Sequence, residues 1–284
     1  MSNHDLIRRI REDYPNYTKA EKKVASFVLE NPKKVLFMSI SDLADACKVG
    51  DTSVFRFCRR LKLQGYQEFK MQLSLSMHVE NATLEELGEV SVKDSFDVLA
   101  KKVLQNNLSA INETYSLINA QEFDKAMHYI QDAQHIHFFG VGTSMLTAMV
   151  AMNKFLRITP NVHCVMDSHM QAMAASMMTQ RDVAIIISYS GATKDTIHVA
   201  KQAKKSGAKV ICITKFAKSP LTAYSDVTIL CGSKEGPLEG GSTSSQISQM
   251  FLIDLMYMDF YRGKFEVNTK NRHKTADAVV EKIY

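Results

Sequence analysis

Between Asp182 and Thr196 the chain reads Asp-Val-Ala-Ile-Ile-Ile-Ser-Tyr-Ser-Gly-Ala-Thr-Lys-Asp-Thr, an apolar, mostly β-branched run that breaks abruptly into hydroxyls and one glycine. Such a run fits a strand of a parallel sheet, buried on both faces. The segment Thr193–Lys201 has the spacing of a helix, so the hydroxyl-rich turn falls at a helix N-terminus. Free backbone N–H groups and the positive end of the helix dipole converge on such a turn and favour an anion. Ser188, Ser190 and Thr193 add hydroxyl donors, and Gly191 lets a ligand approach the backbone. The lysine of a GxxxxGK[ST] nucleotide loop is missing. The expected guest is a small phosphorylated metabolite.

The same grammar recurs on either side. Strands are expected at His135–Phe139, Val162–Met166, Asp182–Ile187, Lys209–Ile213 and Val227–Leu230, alternating with helices at Ser144–Arg157, Ser168–Met177, Thr193–Ser206 and Thr243–Tyr261. Alternating βα units predict a five-stranded parallel sheet flanked by helices, with ligands beyond the carboxyl ends of its strands. The loop Gly140-Val141-Gly142-Thr143-Ser144 matches the first in kind. A dinucleotide turn is the other reading of Gly140-x-Gly142, but position 145 is Met where a third glycine belongs, and no acid closes the second strand. Two hydroxyl loops in one sheet favour a phosphate plus a polyol. A third cluster, Gly240-Gly241-Ser242-Thr243-Ser244-Ser245, either caps the following helix or lines the same site. Residues Ile247–Tyr261 are apolar nearly all round, which predicts burial against a second subunit.

Histidines 135, 137 and 163 alternate along strands and are expected to be sheet-face residues, whereas His169 follows a strand end and can approach the site. Met145, Met149, Met152, Met170, Met173, Met177 and Met178 have the spacing of core or subunit-interface positions. Five cysteines (47, 58, 164, 212 and 231) form no CxxC pair and no Cys/His quartet, so they are expected to be reduced core residues. Neither a metal nor a cofactor is expected. The N-terminus has no apolar signal core, and no apolar run reaches the ~18 residues of a membrane span.

Residues 1–80 have a different character. They read as consecutive short helices, the second opened by a capping box of Thr18 and Glu21 and ended at Asn31-Pro32. They hold 14 Lys/Arg against 10 Asp/Glu, whereas residues 81–284 hold 21 against 20, within a formal charge of +5. A basic third of the chain suits a polyanion. In Ser39–Leu61, Leu43, Ala44 and Cys47 mark the buried side of one helix, Lys48-Val49-Gly50 is a turn, and Val54, Phe57 and Leu61 mark the buried side of a second. That is helix-turn-helix spacing. Its second helix would expose Asp51, Thr52, Ser53, Arg56, Arg59 and Arg60. Thr52, Ser53 and Arg56 stand where base edges are read, and Arg59, Arg60 and Lys62 suit phosphates. An ordinary helical hairpin with a solvated basic face is the other reading. Lys48 occupies a turn position often filled by glycine, at a cost of ~1 kcal/mol for positive φ. A linker is expected over 81–94, before helical patterns resume with Phe96, Leu99, Val103, Leu104, Leu108 and Ile111, and again over Phe123–Ile130.

These residues match two known modules in one order. Tyr17–Ala25, Ser39–Ala44, Val54–Leu61 and Gly65-Tyr66-x-Glu68-Phe69-Lys70 resemble the helix-turn-helix domain of RpiR-type bacterial regulators. Gly140-x-Gly142-x-Ser144, Ser188-x-Ser190-Gly191-x-Thr193-x-Asp195 and Ser245–Met250 resemble a sugar isomerase (SIS) domain, with a flavodoxin-like sandwich over residues 95–284. The resemblance implies a cytoplasmic, non-enzymatic sensor that binds operator DNA through Thr52, Ser53, Arg56, Arg59 and Arg60. A sugar-phosphate effector would be held by Gly142, Ser144, Ser188, Ser190, Gly191 and Thr193, and the SIS domains would pair into a dimer or tetramer. It assigns no role to Tyr189. The rival is a phosphosugar isomerase or lyase, whose acid/base pair would come from Glu235, Glu239, His169 and, from a neighbouring subunit, His273; none of these lies in a catalytic motif. A pure dimerisation scaffold would have no need of two hydroxyl loops.

Overall fold

The computed structural model describes residues 6–80, 91, 93–233, 242–280 and 282. Most of the expected linker, and Glu235, Glu239, Gly240 and Gly241, lie outside them. The described residues fall into two compact units, divided near Asn106.

The first unit is helical: α1 (Leu6–Glu12), a 3-10 turn (Tyr14–Asn16), α2 (Lys19–Glu30), α3 (Pro32–Leu36), α4 (Ile40–Cys47), α5 (Asp51–Arg60) and α6 (Tyr66–Glu80). The capping box at Thr18 and Glu21 is formed in both directions, and Ser39 and Asp42 build a second one for α4. Apolar residues at helical spacing, among them Ile10, Val24, Val28, Leu43, Val54, Phe57, Phe69 and Leu73, close one core. The ring of Phe57 lies edge-on to both Tyr17 and Phe69 at its centre.

In the second unit α7 (Phe96–Leu117), inside which the division falls, and α8 (Ala120–Asp132) precede β1 (His135–Phe139). Then come α9 (Thr143–Leu156), β2 (Val162–Cys164), α10 (Ser168–Ser176), β3 (Asp182–Ile187), α11 (Lys194–Lys205), β4 (Lys209–Thr214), β5 (Val227–Leu230), α12 (Thr243–Gly263) and α13 (Phe265–Val280). The five strands are parallel in the order β2-β1-β3-β4-β5. All six residues of β3 are buried, as a central strand of such a sheet requires. Alternate residues feed two cores: Phe138, Ile185, Ile187, Ile211 and Ile213 face the side of α8, α9 and α12, and Phe139, Ala184, Ile186, Val210 and Cys212 face α10 and α11.

Three expectations change. The second strand ends at Cys164, not Met166. The terminal helix α13 was not anticipated, because Phe265–Val280 carries mixed charges and buries only Asn268 fully, leaving no apolar stripe to read. The apolar helix α12 is already covered in large part within its own unit: Leu252, Ile253, Met256 and Phe260 are buried, it packs on α8, α9 and α13, and Met258 alone among its large apolar side chains is exposed. The exposed apolar residues lie elsewhere. On α7 they are Phe96, Val103, Leu104, Leu108 and Tyr115, and on α10 Met170, Met173 and the adjoining Met177. The methionines thus divide, Met145 and Met178 being core and the α10 group surface.

Candidate anion site and nucleic-acid interface

The strand order reverses direction between β1 and β3, which pair side by side in register from His135↔Asp182 to Phe139↔Ile186. The loops leaving their carboxyl ends therefore sit together at the switch point where open α/β sheets bind ligands. In the first loop Gly142 adopts φ 60° and ψ −130°, a conformation side-chain-bearing residues avoid, and a Cβ at Gly140 would come within 2.7 Å of the Ser144 carbonyl oxygen. In the second, Gly191 has φ 59°, and any side chain there would overlap Ser219. Both loops open a helix whose N-cap, Gly142 for α9 and Thr193 for α11, makes no side-chain capping bond. The Met145 N–H turns back to Gly142 O at 3.1 Å, and no side chain caps the start of either helix, an arrangement that suits an anion.

Hydroxyls gather there. Ser144 and Ser188 are buried yet make no side-chain hydrogen bond to a described residue, while the Ser190 hydroxyl accepts from the Ala192 N–H at 3.3 Å. The six expected site residues, Gly142, Ser144, Ser188, Ser190, Gly191 and Thr193, all belong to these two adjacent loops. Ser245 is buried at the start of α12. His169 is exposed on the first turn of α10, after the neighbouring strand β2, and His273 is exposed on α13.

Three residues not anticipated complete the surroundings. Gln171 of α10 is buried, and its Nε2 donates to the Gly140 carbonyl at 3.0 Å and to Met166 O at 3.4 Å; its Oε1 has no partner. Lys215, the residue after β4, reaches the Ser233 carbonyl and lies 5.5 Å from the centre of the Tyr189 ring. Tyr189 itself donates its hydroxyl to Ser233 O at 2.9 Å and accepts from Ser233 Oγ at 3.0 Å. A lone lysine after a strand carries no sequence signature, and an amide on a helix reads as ordinary polarity.

From Ser233 the polar contacts continue inward. The Gly232 N–H donates to Thr114 Oγ1 at 3.0 Å, and Thr114 donates to Ala110 O at 2.7 Å, both on α7. Ser248 of α12 also reaches Gly232 O. The second hydroxyl loop is thus bonded, through Tyr189 and the chain at 232–233, to α7.

Histidines 135, 137 and 163 share one sheet face, with His135 Nδ1 3.2 Å from His163 Nε2 and the rings of His137 and His163 stacked at 4.7 Å. Burial, and then the neighbouring His163, hold His137 down at about 4. The cluster lies along the strands, away from their carboxyl ends. No group of three His, Cys, Asp or Glu suited to a metal occurs among the described residues.

In the first unit α4 and α5 form the expected helix-turn-helix. Lys48 takes φ 52° and ψ 53°, and the Val49 N–H closes the turn onto Ala44 O. Ser41 Oγ donates to Asp51 Oδ2 at 2.7 Å, tying the two helices together. Val54, Phe57 and Cys58 are buried, so the outward face of α5 carries Thr52, Phe55, Arg56 and Arg59. Arg56 makes no hydrogen bond or ion pair to a described residue, and Arg59 is steadied by Gln64 Oε1 at 3.0 Å. Ser53 and Arg60 lie toward the flank. The Arg60 guanidinium donates to Asn16 O at 2.7 Å, meets Glu21 at 3.4 Å and covers the Tyr17 ring at 5.5 Å, so it braces the fold as well as facing outward.

No described helix is long and apolar enough to cross a membrane. The family model for the helix-turn-helix domain of the rpiR family matches residues 4–80, and the SIS domain model matches residues 129–258. An HTH-type transcriptional regulator of Haemophilus influenzae is 33% identical over 279 residues, covering 98% of this chain and 97% of its own. The HTH-type transcriptional regulator HexR of Pseudomonas aeruginosa is 32% identical over 252 residues, covering 89% and 87%. The solved structure of Vibrio vulnificus NanR, complexed with ManNAc-6P, superposes with a TM-score of 0.87 at 26% identity, over 99% of this chain and all of that one. With a helix-turn-helix unit followed by a five-stranded SIS sheet, and relatives aligned over nearly its whole length, the chain belongs to the RpiR family of transcriptional regulators.

Proposed function

We propose that this regulator senses a sugar phosphate at the β1/β3 switch point and passes its occupancy to the DNA-binding unit. The reading rests on one observation: two adjacent loops whose helix N-termini lack side-chain caps, and whose largely buried serines, Ser144 and Ser188, carry hydroxyls that bond to no described residue. Such donors suit a phosphate, and Ser190 and Thr193 add their hydroxyls to the same cradle. That NanR, of like fold, was solved with ManNAc-6P supports a sugar-phosphate guest.

Transmission follows the hydrogen bonds. Closure of the second loop on a ligand pulls on Tyr189, Tyr189 holds Ser233, and Gly232 holds Thr114 on α7, which leads back in sequence toward the helix-turn-helix. Coupling of this kind is worth about 1–3 kcal/mol, or roughly 5–150-fold in DNA affinity. Thr52, Ser53 and Arg56 read the operator, with Arg59 and Arg60 on phosphates. The protein works in the cytoplasm as a homo-oligomer paired through the SIS domain and catalyses no reaction.

A thermal-shift screen against sugar 6-phosphates tests the site. Ligand at ~100 Kd stabilises the fold by about 2.7 kcal/mol. Ser190→Ala should abolish that shift while leaving DNA binding intact. A shift that survives in the variant places the ligand elsewhere, and turnover of a stabilising sugar phosphate by the wild type would return the enzyme reading.

A further inference from the structure

Phe55 is the one large apolar side chain on the outward face of α5. It is 40% exposed, whereas its sequence neighbours Val54 and Phe57 are fully buried. At 100° per residue, Thr52, Phe55, Arg56 and Arg59 fall within one third of the helix circumference, opposite Val54, Phe57, Cys58 and Leu61. Phe55 contributes nothing to the core that this opposite face builds. A structural role would have placed it inward, and solubility alone would have placed a polar residue there.

Its setting is a cationic one. Arg56 and Arg59 flank it on the same face, and the exposed Lys48 and Lys62 stand at the two ends of α5. The partner of such a face is a polyanion, yet one that also offers an apolar group to an aromatic ring. On the base edges of the major groove, duplex DNA does so at the thymine 5-methyl group. The ring is also held in position. A Cβ on Gly65 would lie 3.5 Å from its Cε2, an ordinary van der Waals contact, so the ring rests beside the chain leading into α6.

We propose that Phe55 is a specificity-determining residue that reads thymine by packing its ring on the 5-methyl group. Arg56 supplies the polar half of the base readout beside it, and Arg59 anchors the adjoining phosphate. The proposal rests on the reading of α5 as the helix that enters the major groove. It goes beyond that reading in naming a base and an atom.

The test begins with selection of binding sites from a random duplex library by the full-length protein and by Phe55→Ala, followed by binding measurements on the selected duplex with each thymine replaced in turn by deoxyuridine, which lacks only the methyl. The wild type should lose about 3–5-fold at one or two thymines per half-site, the equivalent of burying one methyl group. Phe55→Ala should bind the thymine and deoxyuridine duplexes equally and select sites without that thymine. Phe55→Leu, which keeps an apolar contact, should retain part of the preference and guards against loss of fold in the alanine variant. An unchanged thymine preference in Phe55→Ala, or an equal deoxyuridine penalty in both proteins, would overturn the assignment. So would a change in oligomeric state with the preference intact, which would make Phe55 a contact between copies. Failure of the wild type to enrich any site would instead remove the DNA-reading role of α5, and Phe55's role with it.

Discussion

A neutral imidazole wedged among its own kind makes His137 the residue most exposed to pH. Burial and the adjacent His163 lower its pKa from the usual 6.5 to about 4, His135 adds to this, and Asp182 opposes it. His163 is lowered too, by burial and then by His135. A histidine with a depressed folded-state pKa binds its proton more readily when unfolded, so its contribution is present above 6.5 and is lost as pH falls toward 4. Stability should therefore decline through that window by denaturant titration. His137→Phe should flatten the decline, and an unchanged profile would mean that His137 carries no such linkage. At Gly191 the sign is steric. Gly191→Ala forces a side chain into φ 59° and into Ser219, and should cost at least ~1–2 kcal/mol of stability along with the ligand response. Arg60→Ala should lower DNA affinity and also destabilise the first unit by about 1 kcal/mol, since Arg60 holds Asn16, Glu21 and the Tyr17 ring. Arg56→Ala should leave stability untouched while relaxing operator discrimination.

At the scale of elements, Tyr189→Phe isolates the link between loop and helix. It keeps the ring over Lys215 and removes only the hydroxyl held by Ser233. Ligand stabilisation should persist, while the ligand-induced change in amide exchange along α7 (residues 107–117) should disappear. Thr114→Val, cut one step further along, should behave alike. An undiminished α7 response in both variants would reject this route. The elements themselves were legible wherever one short-range pattern decided them. Strands β1, β3 and β5 ended where the apolar runs end, the Thr18–Glu21 box set the start of α2, and even the left-handed turn at Lys48 followed from helix-turn-helix spacing. What stayed hidden was long-range. Nothing local announces that Gln171 reaches Gly140, that Lys215 and Tyr189 converge on Ser233, or that Arg60 turns back to Asn16, because each contact joins residues the fold alone brings together. Phe55 was obscured for a related reason: an aromatic beside two core positions reads as core until the helix phase is fixed.

The whole molecule poses the question of what covers its apolar surface. Phe96 (81% exposed), Tyr115 (70%) and Leu108 on α7, with Met173 (61%) and Met177 (81%) at α10, are more than scattered singletons, and a soluble monomer seldom leaves such stripes open. A second copy of the chain is the occupant expected of the homo-oligomer proposed above, and a stable dimer needs about 1,200–2,000 Å² of total buried surface. Sedimentation velocity at micromolar concentration should accordingly show a species larger than the 32.0 kDa chain. The double variant Leu108→Glu, Met173→Glu places charges where burial is required and should shift it to the monomer with the fold retained. Operator affinity should fall with it far more steeply than any contact to α5 explains, because a two-fold dimer binds paired half-sites about one helical turn apart, or a multiple of it. A monomeric wild type, or a double variant that still dimerises, would detach these stripes from assembly. The regulator would then have to read its operator one helix-turn-helix at a time, and α7 would carry the ligand signal within a single chain.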